Sequence, residues 1–174
     1  MAQNRCKKLG FNNCEIVDSD GLHGGIWIAW DDVGFNISIV KKSNQFIHVL
    51  AEKGNEKLFI TSVYASTNVN CRRQLWEEIS DIQPTEDWPW IVGGDFNATL
   101  YHRDRRSNAN NPISVDRDFV RWFENLQLND LECVGPYFTW HGEGVESRID
   151  QVVANNMFKE RYTDASIKHL PWFK

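Results

Sequence analysis

Residues Trp90 to Asn97, WIVGGDFN, constrain the fold more than any other stretch, because they read as a buried strand delivering two oxygen-bearing side chains to a turn. Trp90, Ile91 and Val92 are apolar and strand-prone, and Gly93-Gly94 mark backbone that must pass close to a neighbour. If the extended conformation persists, Asp95 and Asn97 leave the same face while Phe96 turns into packing. A carboxylate beside an amide oxygen at a strand mouth suits a hard divalent cation or a phosphate. Asp and Asn after a strand are also ordinary turn residues that bind their own backbone. The rest of the chain has to decide between the two.

Upstream, the pattern is that of strands. Residues 1–14 are polar and look like the end of a helix, Glu15–Asp18 is a short strand, and Gly21, Gly24 and Gly25 around Leu22-His23 form a turn before a clear strand, Ile26–Trp30. Asn36–Lys41, Phe46–Ala51 and Leu58–Tyr64 follow with turn chemistry between them, so residues 26–64 are expected to form one antiparallel sheet. After Tyr64 the period changes. Leu75, Trp76, Ile79 and Ile82 make a helical apolar stripe from Asn70 to Ile82, ended by Pro84. The strand at 90–94 leads into an arginine-rich loop running through Asn108–Pro112. Ser114 is the expected cap of a helix from Val115 to Leu126, with Phe119, Trp122, Phe123 and Leu126 inward. Leu131–Val134, Tyr137–His141, Arg148–Ala154 and Ile167–Leu170 read as strands, with a short helix near Phe158–Tyr162. This order fits an α+β sandwich, two sheets face to face with helices outside, in one domain over residues 1–174.

The 174 residues suffice for one core, and 41% hydrophobic with 25% charged residues excludes a disordered chain. Eight Trp and ten Phe imply a thick aromatic core between layers. The net charge of −5 is not that of a generic nucleic-acid binder. The segment Tyr101–Arg121 is nonetheless locally basic: Arg103, Arg105, Arg106, Arg117 and Arg121 stand against Asp104, Asp116 and Asp118. Charge runs are also commonly a solvated face. Cys6, Cys14, Cys71 and Cys133 have no zinc or disulfide-framework spacing, so free thiols are expected. With no apolar signal core and no membrane-length run, the chain is read as soluble and intracellular, in nucleus or cytoplasm, and monomeric.

Four positions then line up: Tyr64 in SVYAS, Asp95 and Asn97 in GGDFN, and Asp150 in SRID, with Trp140 of YFTW just before. This set resembles the endonuclease/exonuclease/phosphatase family, and most closely the endonuclease domain of plant LINE-type (non-LTR) retrotransposon polyproteins. The resemblance implies a DNase I-like four-layered α/β sandwich that hydrolyses the phosphodiesters of DNA with Mg²⁺ or Mn²⁺. It implies that Asp95 activates or orients the attacking water, that Asn97 holds the scissile phosphate, and that Asp95 and Asn97 form the metal side. It further implies that Tyr64 donates to phosphate and that Asp150 orients a histidine. Arg103, Arg105, Trp140 and Arg148 become candidate substrate contacts. On the residues alone Trp140 reads as a core residue before a stacking surface, and Arg148 as a brace for Asp150 or a loop before a substrate contact.

Two departures qualify the expected activity. The family begins with a strand carrying an Asn, a helix, and a strand ending in Gln-Glu, whose Glu is the main metal ligand. It ends in Ser-Asp-His, which supplies the catalytic His. This chain is expected to be truncated of both. Glu15 lies where the following strand should be and is not promoted. His169 is read as structural, and His23, His48, His102 and His141 match no catalytic position. Losing groups that act together lowers rate by orders of magnitude, so an inactive or weakly active endonuclease is expected, with a binding remnant or a phosphatase as alternatives.

Overall fold

The computed structural model describes residues 2–18, 25–85, 87–107, 115–142 and 144–170. The expected turn at 21–24, the loop at 108–112, Ser114 and the final four residues lie outside these. In chain order the elements are α1 (Ala2–Lys8), β1 (Asn13–Val17), β2 (Ile26–Trp30), β3 (Asn36–Lys42), β4 (Phe46–Lys53), β5 (Glu56–Tyr64), α2 (Val69–Ser80) and β6 (Trp90–Asp95). After a 3-10 turn (His102–Asp104) come β7 (Arg105–Ser107), α3 (Arg117–Asn125), β8 (Asn129–Asp130), β9 (Cys133–Val134), β10 (Trp140–Gly142), β11 (Val145–Ser147), β12 (Asp150–Ala154), α4 (Asn156–Arg161) and β13 (Ile167–Lys168).

A six-stranded sheet, β3-β4-β5-β6-β12-β8, is the frame, and β1-β2, β10-β11-β7 and β13-β9 are separate small sheets. Within the frame β5 and β6 run parallel, and α2 makes the crossover between them. The expected antiparallel run therefore holds for β3, β4 and β5 but not for residues 26–30. β2 pairs only with β1, from Val17↔Ile26 to Asn13↔Trp30, and this hairpin lies on the sheet rather than in it. Burial explains the choice: Ile26 and Ile28 meet Ile47, Val49 and Ile60 face to face.

The opposite face carries the larger core. Phe46, Val63, Trp90, Val92 and Val153 from the strands pack against Leu75, Trp76 and Ile79 of α2 and Phe119 and Trp122 of α3. Trp76 stacks on Phe119 with ring centres 4.9 Å apart and sits 6.0 Å from Phe96, so Phe96 does turn inward as its alternation requires. α3 is capped by Asp116, whose Oδ1 accepts the N–H groups of Asp118 and Phe119. Its Oδ2 takes the Arg72 guanidinium at 2.8 and 3.1 Å, tying α3 to α2. Under β5, Trp90 Nε1 donates to Thr61 Oγ1 at 2.8 Å, so the hydroxyl proton is left to donate to His48 Nδ1, also at 2.8 Å. The buried imidazole is thus a neutral acceptor, and burial, with Lys41 nearby, pushes it down to about 4. Among the described residues no helix is long and apolar enough to cross a membrane.

Candidate active site

Strand register assembles the site. Tyr64 ends β5 opposite Asp95 at the end of β6, and Asp95 in turn lies opposite Asp150 at the start of β12. Directly opposed residues point to the same face, and neighbouring strands are about 4.8 Å apart. Tyr64, Asp95 and Asp150 therefore form one row across three strands, on the face of the smaller core. Gly94 permits this closeness. Its φ is +143°, and a Cβ there would lie 1.9 Å from the Val63 carbonyl oxygen.

Asn97 reaches the row by a different route from the one its spacing suggested. The strand stops at Asp95, and Asn97 adopts a left-handed φ of 45°, a conformation Asn tolerates better than most residues. Asp95 Oδ1 accepts the Asn97 N–H at 2.8 Å, so the ordinary turn role of Asp is also realised. Asn97 Nδ2 donates to the Ala65 carbonyl at 2.7 Å. Both bonds are directional, and they leave Asp95 Oδ2 and Asn97 Oδ1 as the oxygens free to serve a ligand. Asp150 is set by Thr139, whose Oγ1 accepts the N–H groups of Ile149 and Asp150, each at 3.1 Å. Nothing in the YFTW motif singles out this hydroxyl as the brace of Asp150.

Burial first, and the Asp150 carboxylate in addition, push Asp95 up to about 6, against the lowering effect of the Asn97 N–H. The native state thus holds this proton more tightly than the unfolded chain, and stability falls as pH rises from about 4 to 6. Above that window the deprotonated carboxylate costs about 1–3 kcal/mol. Asp95→Asn keeps an oxygen for the Asn97 N–H and removes the charge. It is expected to stabilise the metal-free protein at pH 7.5 and to change little at pH 4, measured by urea unfolding in EDTA. Equal gains at both pH values would contradict this account.

The other expected contacts divide. Arg105 is exposed and lines a cavity of about 400 Å³ together with Asn97, Arg72, Asp116 and Ser147. Arg103 is exposed over the Tyr101 ring at 4.5 Å. Trp140 is 42% exposed at the start of β10, with its indole against Gly142, so it is a surface aromatic and not core. Arg148 does not brace Asp150, nor is it open to substrate. Its side chain is 3% exposed, bound to Asp130 at 2.6 and 2.8 Å and near Asp104 at 3.4 Å. Arg106 and Arg121 have carboxylate partners in Glu146 and Asp118, two of the five arginines of the basic segment.

A fold of several small sheets about a mixed six-stranded one has counterparts among known proteins. Residues 16–170 match the Endonuclease/Exonuclease/phosphatase family, and the chain belongs to that family. It is 27% identical over 139 residues to the transposon TX1 uncharacterized 149 kDa protein of Xenopus laevis, covering 74% of this chain and 10% of that protein. The endonuclease domain of TRAS1, a telomere-specific non-LTR retrotransposon, superposes with a TM-score of 0.61 at 17% identity, over 83% of this chain and 65% of that one. An AP endonuclease from Archaeoglobus fulgidus gives 0.59 at 14%, over 89% and 70%. The catalytic domain of human Nocturnin gives 0.54 at 17%, over 90% and 64%. These likenesses establish a DNase I-like α+β fold. The chain spans a tenth of its transposon relative and just under two thirds of the TRAS1 domain.

Proposed function

We propose that this chain is a metal-dependent endonuclease unit of retrotransposon type, hydrolysing DNA phosphodiesters with Mg²⁺ or Mn²⁺ and doing so slowly. The observation that carries the reading is the row Tyr64, Asp95, Asp150, with Asn97 turned in beside it. A divalent cation would be held by Asp95 Oδ2 and Asn97 Oδ1, with Asp150 facing. That donor set fits Mg²⁺, which commonly takes one or two carboxylates and leaves its remaining positions to water and substrate phosphate. When bound, the cation neutralises phosphate oxygens and eases deprotonation of the attacking water. Asp95 orients the water and the Tyr64 hydroxyl donates to a non-bridging oxygen, with the Asp150 carboxylate facing Asp95, each preset by strand register rather than by a mobile loop. Arg103, Arg105 and Trp140 offer charge and a stacking face to the flanking strand.

Nicking of a supercoiled plasmid tests this. Slow nicking that requires millimolar Mg²⁺ or Mn²⁺, stops with EDTA and is lost in Asp95→Ala is the expected result. Metal-dependent nicking that survives Asp95→Ala would remove the proposal. If duplex DNA binds with a steep salt dependence but is never cut, the chain is a binding module. The pairing of Arg106 and Arg121 with carboxylates lowers the charge available to that second reading.

A further inference from the structure

A cavity of about 370 Å³ opens beside Asp150 and is lined by Pro136, Phe138, Thr139, Asp150, Lys168 and His169. Its outer wall is built by a short parallel pairing, Ile167↔Cys133 and Lys168↔Val134, which the His169 N–H extends by donating to the Val134 carbonyl at 2.9 Å. Gly135, at φ +110°, lets the two segments touch, since a Cβ there would lie 2.4 Å from the His169 carbonyl oxygen. The inner wall is the start of β12, fixed to the same loop through Thr139. Asp150 and the pair Lys168 and His169 thus share one pocket, with opposite charge on its two walls.

The imidazole is oriented. His169 Nδ1 lies 2.9 Å from the Pro136 carbonyl oxygen, and a carbonyl can only accept, so Nδ1 carries a proton in either charge state. Nε2 is therefore the nitrogen left to meet a ligand, the arrangement by which a backbone carbonyl presets a working imidazole. Asp150 cannot be what orients this ring through Nδ1, because that position is taken. Lys168 is exposed and supplies a mobile point charge of the kind that suits a phosphate.

We infer that this cavity seats a backbone phosphate of the nucleic-acid strand next to the one at Asp95, with Lys168 and His169 as its contacts. The inference rests on the nucleic-acid reading above. The seated phosphate fixes the strand's register along β12 and leaves the scissile bond over the Tyr64–Asp95–Asp150 row. Lys168 and His169 are binding residues in this scheme and touch no reacting atom.

The test is fluorescence anisotropy of the whole chain with a short labelled duplex in EDTA, titrated between about 50 and 200 mM KCl. Lys168→Gln, at an exposed position, and His169→Gln, whose amide can still donate to Pro136, are both expected to fold, as thermal melts would verify. Each should weaken binding about 3- to 10-fold at low salt, and Lys168→Gln should reduce the slope of log K against log salt by about 1. The His169 ring resonances should shift on adding duplex and not on adding inorganic phosphate at the same phosphate concentration. If both variants bind as tightly as the unsubstituted chain while Arg105→Gln weakens binding, the cavity is off the strand's path and the nuclease reading survives. Absence of any binding by the unsubstituted chain overturns the strand assignment, and the plasmid assay with metal decides the nuclease reading separately. Ring shifts of equal size with inorganic phosphate make this a small-anion pocket and overturn the strand assignment.

Discussion

Gly94→Ala is expected to lower the unfolding free energy by about 3–6 kcal/mol, combining backbone strain with forced displacement of a packed strand. The φ of +143° is disfavoured for any residue with a Cβ, and that Cβ would stand 1.9 Å from the Val63 carbonyl oxygen. The obstacle is backbone inside a ladder, so no side-chain rotation relieves it. β5 and β6 must separate at the point where Tyr64 and Asp95 meet, and the candidate site comes apart with them. Gly93→Ala is the control. Its added carbon would meet Val152 Cγ2 at 3.1 Å, a side chain able to shift, and the expected loss is about 1 kcal/mol. Urea midpoints for the two variants separate these cases, and equal midpoints would refute the argument.

Arg148→Ala is expected to cost about 3–5 kcal/mol by leaving buried carboxylates without their counter-charge. Burial alone would lower the guanidinium's hold on its proton. The hydrogen bonds and charge of Asp130, then the charge of Asp104, override burial and raise it. Asp104 is fully buried and also accepts the N–H groups of Leu100 and Tyr101 and the Tyr137 hydroxyl. The Arg148 N–H donates to the Asp104 carbonyl at 2.7 Å. One cation therefore joins the 3-10 turn, β8 and the approach to β12. Adding Asp130→Asn to Arg148→Ala should recover part of the loss, and a double-mutant cycle measures the coupling. Strict additivity would mean that the bidentate pair contributes nothing specific.

What could be read from the sequence follows a physical division. Local patterns transferred well: the stripe of Leu75, Trp76 and Ile79 became the buried face of α2, and the strands from Asn36 to Tyr64 needed only one- or two-residue adjustments at their ends. The motif order put Tyr64, Asp95 and Asp150 on one list, and register made them a row. Pairing choices between distant segments were not legible. Ile26–Trp30 has the composition of any sheet strand, and only the apolar surface of Ile47 and Val49 beneath it decides that it becomes a lid. The arginine-rich segment hides β7 because its partner, β11, lies some 40 residues on. Asp116 caps α3, and the Arg72 guanidinium that holds the same carboxylate comes from 44 residues away. Arg148 and its acids are separated by 18 and 44 residues, so no window of sequence displays them together. Asn97 departed from strand alternation because Asp95 captured its N–H, a local competition that the turn chemistry of Asp and Asn already hinted at.

The outer rim of the six-stranded sheet has a bearing on how the molecule behaves in concentrated solution. β3 ends the sheet with Ile39 and Val40 exposed, a composition that invites another chain to dock edge to edge and template aggregation. The bulge between Ile39 and Lys41 breaks the flat run of backbone donors and acceptors there, and Lys41 and Lys42 put charge on the same few residues. The far rim, β8, is two residues long. Neither border offers an intruding strand a long, level seat, so self-association by sheet extension is discouraged at both ends.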